Sequence, residues 1–296
     1  MNMKKKYKLT EETIKYWGLT LHRIEALKDF GNVKKGDLGG WIEKEENLSQ
    51  KGDCWVGENA KVDRNAKIYD NAVVYGNSEV TDNAEIYEEA KIYGYVFITE
   101  DAKIYGESQI RNRAMVGNNA QVYDNARVKG NAQVYENAEI FDYAMLWEDS
   151  QVWEKAKVYE HARVWGRAVI NDNAEIFGES IIKDDARVFD YSKVYENSKV
   201  YGTAEVRGNS LIHGDAKVGE LAEISGDAEI KEMGDYIVSH NSWSSGRYFT
   251  WTKSNDMWKV GCFYGTGKEL IEKAYKDSEI SGKNYEKYVN FVETFK

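Results

Sequence analysis

An aliphatic residue recurs at every sixth position from Val56 to Ile230. The run has 30 positions, and all of them are Val, Ile or Leu. Four residues after each of the first 29 stands Ala or Ser, with Val96 as the one exception. The unit reads aliphatic, outward, Gly/Asp/Glu, Asn, small, outward, as in Ile68-Tyr69-Asp70-Asn71-Ala72-Val73. Alternation about the aliphatic residue predicts a short strand. The Gly/Asp-Asn pair predicts a turn, because these residues tolerate left-handed backbone angles. The small residue then points inward at a tight corner. Three units close an 18-residue triangular coil, and 30 units make about ten coils. At roughly 4.8 Å per coil the stack is on the order of 45–50 Å long.

These repeats cover about 60% of the chain and resemble the hexapeptide-repeat left-handed β-helix family. Gly39-Gly40-Trp41 and Leu48 to Trp55 are similar to the first-coil cap of bacterial and phage members. The resemblance implies an all-β solenoid, a left-handed parallel β-helix, with a small α+β C-terminal module. Handedness comes only from the resemblance, since the general crossover rule favours the other hand. The resemblance also implies a parallel trimer with ligand clefts between subunits.

Three segments are expected: a cap over 1–55, the array over 56–231 and a module over 232–296. In the cap, Thr10-Glu11-Glu12 reads as a helix N-cap with an acidic first turn. Leu21 to Ala26 reads as a strand, and Trp41 with Ile42 as the plug of the first coil. In the module, Trp243–Lys253 and Met257–Tyr264 read as a hairpin. Thr266-x-x-Glu269 signals a capped helix, and a second helix follows Ser281-Gly282, giving ββαα.

Composition narrows the function classes. The net charge is −10, which disfavours a long nucleic acid because phosphate contacts need a basic face. No apolar run is long enough for a membrane helix. No apolar stretch follows the basic start Met1–Lys6, so no secretory signal is expected. Two distant cysteines, Cys54 and Cys262, do not make a disulfide framework. Cys262, between apolar neighbours, reads as core. The expected location is the cytoplasm of a bacterial host cell.

Residues 18 apart stack directly, so the outward positions sort into three faces. The first carries Tyr69, Tyr87, Tyr105, Tyr123, Phe141, Tyr159, Phe177 and Tyr195, eight consecutive aromatic rungs. Opposite charges alternate beside them, from Lys67 and Glu85 onward. Such a ladder stiffens a sheet, and it also suits contact with another subunit. The second face carries Tyr75, Tyr93, Arg111, Lys129, Trp147, Trp165, Lys183 and Tyr201. The third carries Tyr135, Trp153 and Phe189, flanked by Phe97, Met115 and Val169. Apolar patches of this kind mark interfaces.

The densest constellation is Tyr143, Met145, Trp147, His161, Arg163 and Trp165, on adjacent coils. Two stacked indoles beside a guanidinium can grip a planar ring and a phosphate, or anchor an interface. Arg127 and Lys129 add a local basic spot. Trp153 is a further ring for such a ligand. In the module, Arg247, Tyr248, Trp251 and Trp258 form a second candidate, where Ser244-Ser245-Gly246-Arg247 can make an anion-binding turn.

Enzyme readings find little support. Acyltransferases of the resembled family have a protruding loop and a catalytic His, but no hexad here is interrupted. His161 and His213 are the only histidines in the array, and neither has an evident partner for general-base work. Four scattered histidines (His22, His161, His213, His240) do not make a zinc cluster, so no metal and no cofactor are expected. Thr81 and Thr99 are isolated, unlike the ladders of an ice-binding face. The sequence therefore predicts a non-enzymatic, trimeric binding protein. Its ligand is small and nucleotide-like, and the resemblance to phage proteins suggests sequestration against host defence. A scaffold and a divergent acyltransferase are the alternatives.

Overall fold

The computed structural model describes residues 5–295. Part of the basic start Met1–Lys6 therefore lies outside the described residues. The chain divides into two compact units, Met1–Gly166 and Arg167–Lys296.

The first unit opens with three strands: β1 (Tyr7–Tyr16), β2 (Leu19–Ala26) and β3 (Leu38–Ile42). The helix start expected at Thr10 is instead the middle of β1. Between Leu9 and Thr13 the β1–β2 register shifts, so Thr10-Glu11-Glu12 occupies a bulge. Cross-strand pairing thus overrides a local capping signal. Trp17 (φ 47°) and Gly18 (φ 81°) make the hairpin turn.

β3 runs parallel to the first coil, with Trp41 opposite Lys61 and Ile42 opposite Val62. Ile42 is therefore the inward plug. Trp41 points outward instead, and the Arg23 guanidinium covers it at 5.0 Å. Leu48 bridges Ile68 in parallel register. The inward series consequently begins at Ile42 and Leu48, about one coil before Val56, so about ten coils is an undercount by one. Two extra residues between Leu48 and Val56 hide this coil from a six-residue search. Lys6 closes its open end. Its buried Nζ donates to the carbonyls of Cys54 (2.9 Å), Gly52 (3.2 Å) and Lys51 (3.3 Å).

Beyond this cap the coils follow the predicted period. Strands 18 residues apart pair in parallel, for example Gln121 with Glu139 and Gln133 with Gln151. Val134, Ile140 and Leu146 are fully buried, as are Ala132, Ala138 and Ala144. The left-handed corner residue is the third of each unit, not the Asn. Asp70 (φ 55°), Glu88 (φ 55°) and Glu136 (φ 60°) adopt it.

Those corner carboxylates bond to the next coil. Asp70 accepts from Glu88 N (3.3 Å), Glu88 from Gly106 N (2.9 Å) and Asp142 from Glu160 N (3.1 Å). The Asn beside them ladders from coil to coil, as in Asn65 to Asn83 (3.2 Å) and Asn83 to Asp101 (3.0 Å). Much of the acidity of the chain is therefore structural.

The second unit repeats this pattern, with Glu175 paired to Lys193 and Arg187 to Glu205. Its C-terminal module has four antiparallel strands rather than two: Tyr236–His240, Tyr248–Thr252, Met257–Val260 and Phe263–Thr266. Helices α1 (Gly267–Asp277) and α2 (Glu279–Val292) cover one face. The capping box at Thr266 and Glu269 is present as predicted.

Phe249, Trp251, Trp258, Leu270, Tyr285 and Val289 form the module core. The opposite face of Tyr248–Thr252 rests on the last coils of the unit, where Thr250 Oγ1 accepts from Glu223 N at 3.0 Å. Tyr264 and Tyr236 hydroxyls donate to Ser225 O (3.1 Å) and Lys217 O (2.8 Å). Cys262 is exposed at the turn between the last two strands, not in the core.

Candidate functional site

The second face of the first unit departs from the repeat at one corner. There Val96 replaces the usual Ala or Ser and is nevertheless buried. The two adjoining strands, Lys91–Gly94 and Gln109–Asn112, are twice the usual length and run into the corner. Tyr93 pairs with Arg111 and Gly94 with Asn112. Gly94 has φ 105°, and a Cβ there would lie 2.8 Å from the Asn112 carbonyl oxygen. A larger inward residue thus goes with a reshaped turn, and only glycine fits the close approach.

Along this corner the left-handed position loses its acids. Gly76, Gly94, Asn112 and Gly130 occupy it in four successive coils, between Glu58 and Glu148. Basic residues stand beside them. Lys91, Arg111, Arg113, Arg127 and Lys129 are all exposed. The ion pairs along the coils of this unit lie elsewhere, at Lys61–Glu79, Arg64–Asp82 and Lys157–Glu139. The Arg111 guanidinium lies 5.6 Å from the Tyr93 ring and donates to Gln109 Oε1 at 2.6 Å. The Lys129 ammonium lies 5.3 Å from the Trp147 ring. These cation–π contacts hold long side chains without cancelling their charge.

Together these residues line an open groove of about 880 Å³. Its walls are Tyr93, Tyr95, Arg111, Arg113, Lys129 and Trp147. The Tyr95 side chain at its rim is 63% exposed, so its ring is available to a ligand. Glu148, the acid at the end of the groove, accepts from Gly166 N at 3.0 Å and is committed to the backbone.

The structure brings part of the predicted constellation to this place. Trp147 lines the groove, and Trp165 stacks on it at 4.7 Å. Met145 pairs with Arg163 on the same sheet. Tyr143 and His161 stack at 5.1 Å but sit at the opposite corner of that strand. Trp153 lies on the third face, with its indole N–H buried and unpartnered. Tyr95 and Arg113 were not among the predicted site residues. Their signal was the exceptional Val96 beside a Tyr-Gly-Tyr corner.

The module candidates separate. Trp251 and Trp258 are buried, and the Trp251 indole donates to Asp256 Oδ1 at 3.0 Å. Neither can present a ring to a ligand, because both are needed between sheet and helices. Tyr248 is exposed and leans on His240 at 4.8 Å. Arg247 lines a separate pocket of about 310 Å³ with Lys273, Asp277 and Cys262. The serine turn before it is closed on Asn241, which takes Ser244 N through its side chain (3.0 Å) and Gly246 N through its carbonyl (3.0 Å). Those amides are not free to hold an anion.

His213, read as unpartnered from sequence, shares a hydrogen bond with Glu229 at 2.8 Å and stacks on Tyr195 at 5.0 Å. It is largely buried at the end of that stack. No group of three or more metal-ligating side chains occurs among the described residues. No helix among them is long and apolar enough to cross a membrane.

Two comparisons bear on identity. A family model described as the YdcK β-solenoid repeat matches residues 120–138, which include Arg127 and Lys129 of the basic corner. A protein of Escherichia coli K12 described as an uncharacterized acetyltransferase, YdcK, is 37% identical over 60 residues. That match covers 18% of this chain and 18% of the relative. Together with the parallel coil ladder, both matches are consistent with a hexapeptide-repeat protein.

Proposed function

We propose that this chain is a non-enzymatic binding protein that sequesters a small, planar, nucleotide-like anion in the Tyr93–Trp147 groove. One observation carries the reading. Unneutralised Arg111, Arg113 and Lys129 stand beside Tyr93, Tyr95 and Trp147 at the irregular corner of the second face. Guanidinium groups recognise phosphate in a fork geometry, and exposed rings take a base by stacking. Bacterial cytoplasm and antagonism of host nucleotide signalling fit this reading. The proposed assembly is a trimer, with the third-face row Phe97, Met115, Tyr135 and Trp153 offered to a neighbour.

The relative described as an acetyltransferase supplies the competing reading, since acetyl-CoA also carries a nucleotide. Isothermal titration with cyclic nucleotides, ADP-ribose derivatives and acetyl-CoA separates the two. Heat with a nucleotide, lost in Arg113→Gln, supports sequestration. No heat with any of them, or turnover of acetyl-CoA with an added amine, overturns it.

A further inference from the structure

The groove is part of a longer surface. In the first unit the outward positions of the second face are Trp55, Gly57, Val73, Tyr75, Lys91, Tyr93, Gln109, Arg111, Arg127, Lys129, Met145, Trp147, Arg163 and Trp165. Five are basic and none is acidic, in a chain whose net charge is −10. Carboxylates on the neighbouring corners keep their charge but are held along the stack by backbone amides of the next coil, as at Glu58 with Gly76 N (2.8 Å) and Glu148 with Gly166 N (3.0 Å). Net charge therefore misreports this face. Lys91, Arg111, Arg127 and Lys129 set its local field, and a low-acid strip of this kind draws anions.

Spacing gives the ligand a length. Tyr93, Arg111, Lys129 and Trp147 stand on four successive coils. Three coil steps at about 4.8 Å make roughly 14 Å. The cations occupy the two middle coils, Arg111 and Arg113 on one and Arg127 and Lys129 on the next, which offers four phosphate contacts. Rings bracket the cations, with Tyr93 and Tyr95 at one end and the stacked Trp147–Trp165 pair at the other. Cations that track a backbone between rings that accept bases are the two requirements for binding a single strand.

We propose that the second face binds a short single-stranded oligonucleotide, with its phosphates on Arg111, Arg113, Arg127 and Lys129 and its terminal bases on Tyr95 and on the Trp147 face that Lys129 vacates when it turns to phosphate. The inference rests on the groove assignment of the proposed function and extends it from one nucleotide unit to several. It differs from binding of a long nucleic acid, because the strip is only a few phosphates long.

Fluorescence anisotropy with a labelled short oligothymidylate tests it, with the full chain at low and moderate salt. Binding should saturate, and log affinity should fall with log salt at a slope of roughly −3, for about four phosphates at about 0.7 each. Arg113→Gln and Lys129→Gln should each weaken binding roughly tenfold and reduce the slope by about 0.7. Trp147→Leu should weaken binding at an unchanged slope. Lys157→Gln, on the aromatic-ladder face and paired with Glu139, should leave binding unchanged.

Three results overturn the inference: no saturable binding at low salt, an equal loss in Lys157→Gln, or equal competition by poly-glutamate, which has charge but no bases. If a mononucleotide gives heat while the oligonucleotide does not bind, this inference fails and the small-ligand reading stands. If the oligonucleotide binds with the expected slope and no mononucleotide gives heat, the small-ligand reading fails instead.

Discussion

The aromatic-ladder face and the second face share coils, backbone and register, yet they are chemically unlike. On the ladder face Tyr87, Tyr105, Tyr123 and Phe141 are each covered by rings on both sides: Tyr123 lies 4.9 Å from Tyr105 and 5.0 Å from Phe141. Its hydroxyl donates to Glu139 at 3.1 Å, and Glu139 pairs with Lys157 at 2.9 Å. Charges on that face pair from coil to coil at Glu139–Lys157 and Glu175–Lys193. At the groove on the second face, the Arg111 guanidinium and the Lys129 ammonium meet rings instead of carboxylates. A repeat can thus stabilise itself on one face and leave binding capacity on the next, because inward residues alone fix the coil.

The largest expected effect is blind to this difference. Val134→Asn puts an unpaired amide inside the coil and should cost several kcal/mol, read as a large drop in melting temperature. Unchanged stability would contradict the inward assignment on which both faces depend. A pair of ring deletions discriminates between the faces. Tyr123→Leu removes stacking and a hydroxyl bond and should cost about 1–3 kcal/mol in denaturant unfolding, with ligand affinity unchanged. Trp147→Leu should lose affinity. Equal effects of the two variants on binding would erase the functional contrast.

The smallest effect is alkaline. Burial in the stack pushes the Tyr105 phenol up to about 12. A raised phenol favours the folded state fully below the unfolded value near 10 and loses that advantage as pH rises toward about 12. Wild type should therefore lose stability over that window, and Tyr105→Phe should lose less of it, as followed by unfolding at fixed temperature. Parallel curves for the two proteins would show that the rung is not sheltered.

The coil was legible because its cause is local. A six-residue period fixes which side chain points inward, and an 18-residue sum fixes which ones stack. The faces followed, and with them Trp147, Trp165, Arg111 and Lys129. The extra coil at Ile42 and Leu48 was not legible, because two inserted residues break the period while spatial pairing restores it. The bulge at Thr10 and the four-stranded module depend on partners distant in sequence. Trp251 and Trp258 looked like ligand rings because alternation shows sidedness but not what covers a side.

By itself, then, the sequence determined a parallel solenoid, its inward residues and the identity of three faces, since each follows from nearest-neighbour geometry. Only the tertiary structure decided which charged groups have partners and where the acids stand. The corner carboxylates are held by amides one coil away, and near Val96 glycines take their place. That contrast exposes the cations at the groove, and no count of charges along the chain can show it.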